Sequence, residues 1–357
     1  MVQPFEMSAP TAATTTSEPT GPGRFAEGGA TDARADSPFP PAAEAASRPS
    51  IVVIVGPTAA GQSELARELA ERGGGEIGSA DSQQVYRGMD IGTGKVDAAA
   101  RARIPHHLID IVAPDEAMTA AQYAALADEA IADIAGRGAA PVVVGGTGLY
   151  VRALMLGLFD APAADEALRD RLRRHAEAHG VASLWEQLKH RDPEAADTVH
   201  PADLIRLTRA LEILELTGEK PSVHRRRHDH RRVPMRYHAR FVGLAPPRDE
   251  LDRRIEARVD AMFAAGFVEE VRALRASGVF PPLRSQRAIG YAELHRHLDD
   301  ALSLGEAMTL LKRNSRRYAR RQLGWYRGDA RVDWYRAACE VDLDALGGYL
   351  RRRALDR

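Results

Sequence analysis

The sequence predicts an α/β fold: a mostly parallel sheet, an inserted helical subdomain and further helices toward the C-terminus. Three observations carry this reading. Short apolar runs of strand type alternate with helical stretches, a strand-free helical pattern fills the middle of the chain, and a glycine-rich turn follows the first apolar run. Strand and helix alternate in parallel sheets because each return to the same edge needs a crossover, usually a helix.

The run Ile51-Val52-Val53-Ile54-Val55 offers no polar side to solvent, so it predicts a strand buried on both faces. A helix is expected after it over 64–72. Further strands are expected at 76–80, 107–112, 141–144 and 240–244, with helices between them, for example 120–137. From 165 to 216 the pattern is helical without strands. Helices return at 249–277 and 305–326, where Met262, Phe263 and Phe267 read as core positions. The expected organisation is a disordered tail (1–49), a phosphate-loop core (50–157), a helical insertion (158–235), the rest of the core with a basic helix (236–335) and a C-terminal segment (336–357). No internal repeat is found.

Composition narrows the class. Hydrophobic residues make up 44% and charged residues 28%, with a formal net charge of −1, which is ordinary for a soluble protein. A near-neutral total does not exclude nucleic acid, because binding needs a local basic surface. A single cysteine, Cys339, excludes an intramolecular disulfide and a Cys-based zinc site. No apolar run approaches the roughly 18–20 residues of a membrane span. The tail lacks the continuous apolar stretch of a secretory signal, and its acids Glu18, Glu27, Asp32, Asp36 and Glu44 speak against a transit peptide. A cytoplasmic monomer with no membrane attachment is the expectation.

The strongest motif is Gly56-Pro57-Thr58-Ala59-Ala60-Gly61-Gln62-Ser63, set between a buried strand and a helix, the context that a P-loop requires. Its glycines let backbone approach a phosphate, and the helix start presents unpaired N–H groups. Ser63 is the expected magnesium ligand, through its hydroxyl. The lysine expected before Ser63 is Gln62, which donates hydrogen bonds without charge. A plain strand-to-helix turn is the bland alternative.

Five more segments accompany the loop: Ser79-Ala80-Asp81-Ser82-Gln83-Gln84 running on to Asp90-Ile91-Gly92-Thr93-Gly94-Lys95; Pro105-His106-His107-Leu108-Ile109-Asp110; Gly145-Gly146-Thr147-Gly148-Leu149-Tyr150; His200 to Glu212; and Arg287-Ala288-Ile289-Gly290-Tyr291. Together they resemble the tRNA dimethylallyltransferases over about residues 51–327. The resemblance implies a P-loop NTPase-like fold and a reaction. Dimethylallyl would pass from dimethylallyl diphosphate to N6 of the adenosine 3′ of the anticodon in tRNA, with Mg2+ assisting and no ATP hydrolysis, although such loops are often labelled ATP-binding.

It also implies roles. Asp81 would be the general base, with Thr58 and Arg206 completing the catalytic set. The loop residues Gly56 to Ser63 and Arg209 would hold the diphosphate. Asp81, Ser82, Gln83, Gln84, Thr147, Ile205, Arg206, Leu207, Thr208, Arg209, Arg287, Arg313, Arg317 and Arg321 would meet the tRNA anticodon stem-loop. Plainer readings stay open: a cap or magnesium–water ligand for Asp81, a helix cap for Thr147, and a solvated helix face for Arg206 and Arg209. Lys95, Arg206 or Arg209 could stand in for the missing lysine charge.

Lys312, Arg313, Arg316, Arg317, Arg320 and Arg321 recur at helical spacing before Trp325 and Tyr326, which predicts a phosphate-binding stripe with aromatic groups at its end. Gly324 stands where the family commonly has threonine, weakening that helix. The run His224 to Arg232 lacks acidic or thiol partners at metal spacing and reads as a basic RNA-facing loop. Chemistry on a stacked base calls for flipping it into a pocket, here expected as a channel that base and diphosphate share. Two other readings compete: a small-molecule P-loop kinase, and a catalytically impaired tRNA-binding relative.

Overall fold

The computed structural model describes residues 49–159, 161–230, 232–281 and 283–352; the expected tail lies outside them except for residue 49. Strand β1 (Ser50–Val55) is buried along its whole length. Being apolar on both faces, it is stable in the middle of a sheet and nowhere else. Accordingly β2 (Gly75–Ser79), β3 (His106–His107), β4 (Ala140–Val144), β5 (His238–Leu244) and β6 (Val332–Tyr335) assemble around it in the order β3-β2-β4-β1-β5-β6. All neighbouring pairs are parallel, with Val53 opposite Val143 on one side and Phe241 on the other.

Strand alternation divides β1 between two cores. Ile51, Val53 and Val55 face Tyr123 and Ile131 of α3 (Ala120–Gly136) and Tyr150 and Leu154 of α4 (Gly148–Leu156). Val52 and Ile54 join the cluster holding Leu65 and Leu69 of α1 (Gln62–Gly73) and Leu346 and Leu350 of α14 (Leu343–Arg352). A short α2 (Ala98–Arg103), capped by Asp97, leads into β3.

Between β4 and β5 the chain leaves the sheet. Helices α5 (Glu166–His179), α6 (Ala182–Arg191), α7 (Pro193–Ala196) and α8 (Leu204–Thr217) surround a separate apolar cluster that includes Leu172, Leu184, Leu188, Leu207 and Leu211; α9 (Pro221–Arg227) follows. After β5 come α10 (Arg248–Ala264), α11 (Phe267–Ala276), α12 (Tyr291–Leu298) and the long α13 (Leu304–Tyr326). No helix among the described residues is long and apolar enough to cross a membrane.

Three elements differ from expectation. The strand expected at 107–112 stops after His107, because Leu108 and Asp110 take positive φ (64° and 58°) while Lys95 and Arg101 hold the Asp110 carboxylate. The helix expected over 249–277 is two helices, broken at Gly266 with φ 96°. Strand β6 and helix α14 were not expected, since four residues with two aromatics and a short Gly-containing helix give weak periodicity.

Candidate active site

The turns that follow β1, β2 and β4 lie side by side because those strands are adjacent in a parallel sheet, at the edge where α/β proteins bind ligands. They open on one cavity of about 360 Å³, to which Thr58, Gln62 and Ser63 contribute from the first turn, Asp81 to Gln84 from the second, and Gly145 and Gly146 from the third. Helices α10 and α13 close it with Arg258, Tyr318, Arg321 and Gln322, and Arg287 adds another guanidinium.

The first turn keeps the geometry of a phosphate loop. Gly61 takes φ 98° as the cap of α1, and a Cβ on Gly56 would lie 2.6 Å from the Leu244 carbonyl oxygen. Both positions therefore exclude larger residues. The Thr58 N–H donates to Gln322 Oε1 at 2.9 Å, while Gln322 Nε2 donates to the Gly146 carbonyl at 3.1 Å. One side chain from α13 thus braces the first turn against the third. Gln62, 9% exposed, lines the cavity beside Ser63.

Asp81 begins the second turn. Its Oδ1 accepts the N–H groups of Gln83 (2.8 Å) and Gln84 (3.4 Å), and the residue lines the cavity. Burial pushes its pKa above the ordinary aspartate range, against the two loop N–H groups and the Arg258 charge, which pull it down. Arg258 is itself recessed, so burial lowers its pKa while Asp81 opposes that; its Nη2 donates to the Thr93 carbonyl at 3.1 Å.

Thr147 stands at the start of α4 but makes no cap bond. Instead Thr147 Oγ1 accepts the Ser82 N–H at 2.9 Å, fixing the Asp81 turn from the neighbouring strand end. Burial raises the Tyr318 phenol to about 12, and its hydroxyl is hydrogen-bonded to Thr147 and Gln322. A second clamp lies behind. Glu270 accepts from the N–H groups of Asp90 (2.9 Å), Ile91 (2.6 Å) and Gly92 (3.1 Å), and from the Tyr291 hydroxyl at 2.6 Å. This joins the Asp90–Gly92 and Gly290–Tyr291 motifs, which are far apart in sequence.

The structure does not bring every expected residue here. Arg206 is largely exposed and pairs with Asp203, and Arg209 is held by Glu212 and the Pro162 carbonyl (3.0 Å), so neither lines the cavity. The reason is local: the apolar side of α8 packs into the insertion's own cluster, and the fully buried Glu212 recruits Arg209 and Arg169. On the same helix Leu207 and Thr208 are buried, whereas Ile205 is 82% exposed. Lys95 cannot replace a phosphate-loop lysine either, because it is buried between Asp90 and Asp110.

The basic stripe on α13 divides by helix face. Lys312 and Arg316 turn to Asp260 and Glu256 of α10, while Arg313, Arg317, Arg320 and Arg321 are exposed and form no ion pair with a described residue. The basic run from His224 is mostly helix α9, with Arg225 and Arg226 paired to Glu194 and Arg227 to Glu219. No described group of three or more His, Cys, Asp or Glu residues forms a metal cage.

Sequence reading missed Arg258, Tyr318, Gln322 and Glu270. For Arg258 a signal existed: it falls on the buried stripe of α10 with Leu251, Ile255 and Val259, where a charge needs a reason.

Known proteins supply the remaining comparison. A family model described as IPP transferase matches residues 84–329. The tRNA dimethylallyltransferase of Geobacter sulfurreducens is 46% identical over 299 residues, 84% of this chain and 96% of that one. That of Anaeromyxobacter dehalogenans (strain 2CP-C) is 49% identical over 305 residues, 85% and 99% respectively. Among solved structures, the tRNA isopentenylpyrophosphate transferase of Bacillus halodurans is similar with a TM-score of 0.61 at 40% identity, over 87% of this chain and 98% of that one. A eukaryotic dimethylallyltransferase described as acting on tRNA gives a TM-score of 0.69 at 29% identity, over 86% and 78%.

Proposed function

The chain belongs to the tRNA dimethylallyltransferase (IPP transferase) family, with its P-loop NTPase-like fold, and from that membership we propose that it moves a dimethylallyl group from dimethylallyl diphosphate to N6 of the adenosine 3′ of the anticodon in tRNA. One observation carries the site-level reading: the glycine turn after β1 and the buried Asp81 carboxylate share one cavity, and three arginines, Arg258, Arg287 and Arg321, reach it from elsewhere in the chain.

In this reading the diphosphate lies along the first turn. The C–O bond of the allylic ester breaks as N6 attacks, and the electron pair stays on the departing diphosphate. Donors fixed beforehand are worth most for such developing charge. Those at hand are the loop N–H groups other than those of Thr58 and Ala60, which Gln322 and the Pro57 carbonyl already take, the hydroxyls of Thr58 and Ser63, the Gln62 amide and the Arg258 guanidinium. Asp81 accepts the proton that N6 loses, and burial, which raises its pKa, makes it a stronger base than a free aspartate. Thr147 and Gln322 act through position, holding the two turns in register.

Magnesium fits this donor set, because that ion takes few protein ligands beside substrate phosphates, and Ser63 supplies a hydroxyl next to where they would lie. When bound it would neutralise charge on the leaving diphosphate. Arg287, Arg313, Arg317, Arg320 and Arg321 would meet the RNA backbone; their exposure supports this, since phosphate contacts need accessible cations. A cytoplasmic monomer is consistent with these partners. The test is transfer of labelled dimethylallyl to an anticodon stem-loop RNA, with ATP turnover measured in parallel. Label on the adenosine N6 without ATP consumption is expected; ATP consumption without transfer would overturn the reading.

A further inference from the structure

Beside Asp81, on the sheet face carrying α3 and α4, lies a group of phenols that the chemistry above does not use. Tyr123 is 0% and Tyr326 4% exposed, and neither hydroxyl has a hydrogen-bond partner. Tyr123 stacks on Tyr150 with ring centroids 4.1 Å apart, and Ala80, Tyr86, Tyr123, Tyr150 and Tyr326 belong to one packed cluster. Buried hydroxyls are almost always bonded, and where protein offers nothing a buried water does. Two unpartnered hydroxyls in the cluster that also holds Ala80, the residue before Asp81, are groups of the kind that buried water satisfies.

We infer that buried water joins the Tyr123 and Tyr326 hydroxyls and that this chain of hydroxyls and water carries the proton taken up at Asp81 out of the protein. The inference rests on Asp81 being the base. Each turnover leaves one proton on Asp81, a bound RNA would cover the cavity mouth from the Arg287 and Arg321 side, and a route behind the base would return it to carboxylate without waiting for the diphosphate to leave. The surroundings supply a direction. Asp81 lies within electrostatic reach of Tyr123, Tyr150 and Tyr318, and Tyr326 within reach of Tyr318, Arg152 and Asp329. The Asp329 N–H donates to the Tyr326 carbonyl at 2.9 Å, and the Asp329 side chain, paired with Arg331, is 25% exposed.

Balance is simple. The protonated Asp81 gives its proton to the first oxygen of the chain, each oxygen passes on its own, and one proton emerges to water near Asp329 while Asp81 returns to carboxylate. Burial raises all four phenols, so they relay as neutral O–H groups and no phenolate accumulates.

The test uses the full chain. A crystal structure should show ordered water within hydrogen-bond reach of both hydroxyls. The double variant Tyr123→Phe/Tyr326→Phe keeps both rings; its turnover should fall on the order of tenfold, less than the 10²–10⁴ of losing the base itself. The KM for RNA should stay unchanged, and a small proton carrier such as imidazole should restore the rate. If the pair does not fold, each single variant is read the same way. A dry pocket, undiminished turnover, or a loss that imidazole leaves untouched would overturn the relay. Asp81→Asn separates the two ideas: full activity in that variant removes the base, whereas an inactive Asp81→Asn beside a fully active double variant removes the relay alone.

Discussion

The cavity and the helical insertion use the same residue types in opposite ways. In the cavity the polar contacts come from afar: Gln322 reaches the Thr58 amide across 264 positions of sequence, and Glu270 reaches Asp90 across 180. In the insertion the arginines of α8 are satisfied within a turn, Arg206 by Asp203 and Arg209 by Glu212. Arginine is cheap to place where an acid three residues away completes it, and such an arginine is structural unless something competes for it. Arg317 and Arg321, exposed without an ion pair to a described residue, and Arg258, recessed at the cavity, have no such local acid. Pairing separates the two groups better than position on a helix.

If that distinction is right, the largest effect belongs to the cavity. Asp81→Ala should lower single-turnover transfer by roughly 10²–10⁴ while RNA affinity stays within a few-fold. Near wild-type turnover in that variant would remove the carboxylate from the chemistry. Gln62→Lys is the next largest and runs the other way. A charge-assisted bond of about 1.5–3 kcal/mol to the departing diphosphate would raise kcat on the order of 10- to 200-fold. No gain would mean that Arg258 already supplies the charge and that the turn is built around glutamine.

Gln322→Ala strips the brace from the Thr58 N–H and the Gly146 carbonyl. A loss of about 1–3 kcal/mol in stability is expected, with a fall in kcat on the order of tenfold from the displaced turns. Denaturant midpoints and kcat read the two effects separately, and an unchanged kcat would make the brace purely structural. Arg258→Gln tests the pairing with Asp81 through pH. A base must be ionised to work, so transfer rises as pH rises through its pKa. Burial already places that limb above the ordinary aspartate value of about 3.9. Removing the Arg258 charge should move the limb of kcat/KM higher still, and a limb that stays put would uncouple the two groups. The smallest catalytic effect is expected for Arg209→Ala. It leaves Glu212 with Arg169, so stability should drop by about 1–2 kcal/mol, with kcat for transfer to a stem-loop nearly unchanged. A large kcat loss at wild-type stability would break the comparison.

Much of this was legible in the chain. An apolar run of five residues dictates a central strand, and a glycine turn between strand and helix dictates where phosphate would bind, because both depend on neighbours in sequence. The positions of Asp81 and Thr147 were readable for the same reason, since each lies in the turn just after a strand of that sheet. What escaped depends on which face of a distant helix meets the cavity. Periodicity places Lys312, Arg313, Arg316 and Arg317 on one helix but does not say that α10 presents Asp260 and Glu256 to two of them. The edge strand β6 escaped because four residues carry too little pattern.

The brace from Gln322 has a consequence in time. A ribosome makes the chain from its N-terminus at roughly 5–20 residues per second, so Gly56 to Ser63 would wait tens of seconds for the residue that clasps Thr58. Throughout that interval the nascent polypeptide holds a phosphate turn with a loose crest, and for the first part of it β1 also lacks its β5 neighbour. Competence therefore arrives only after residue 322 is made, all at once, when α13 docks. A transcript cut short before codon 322 would yield a protein carrying every motif of the first turn and no finished site.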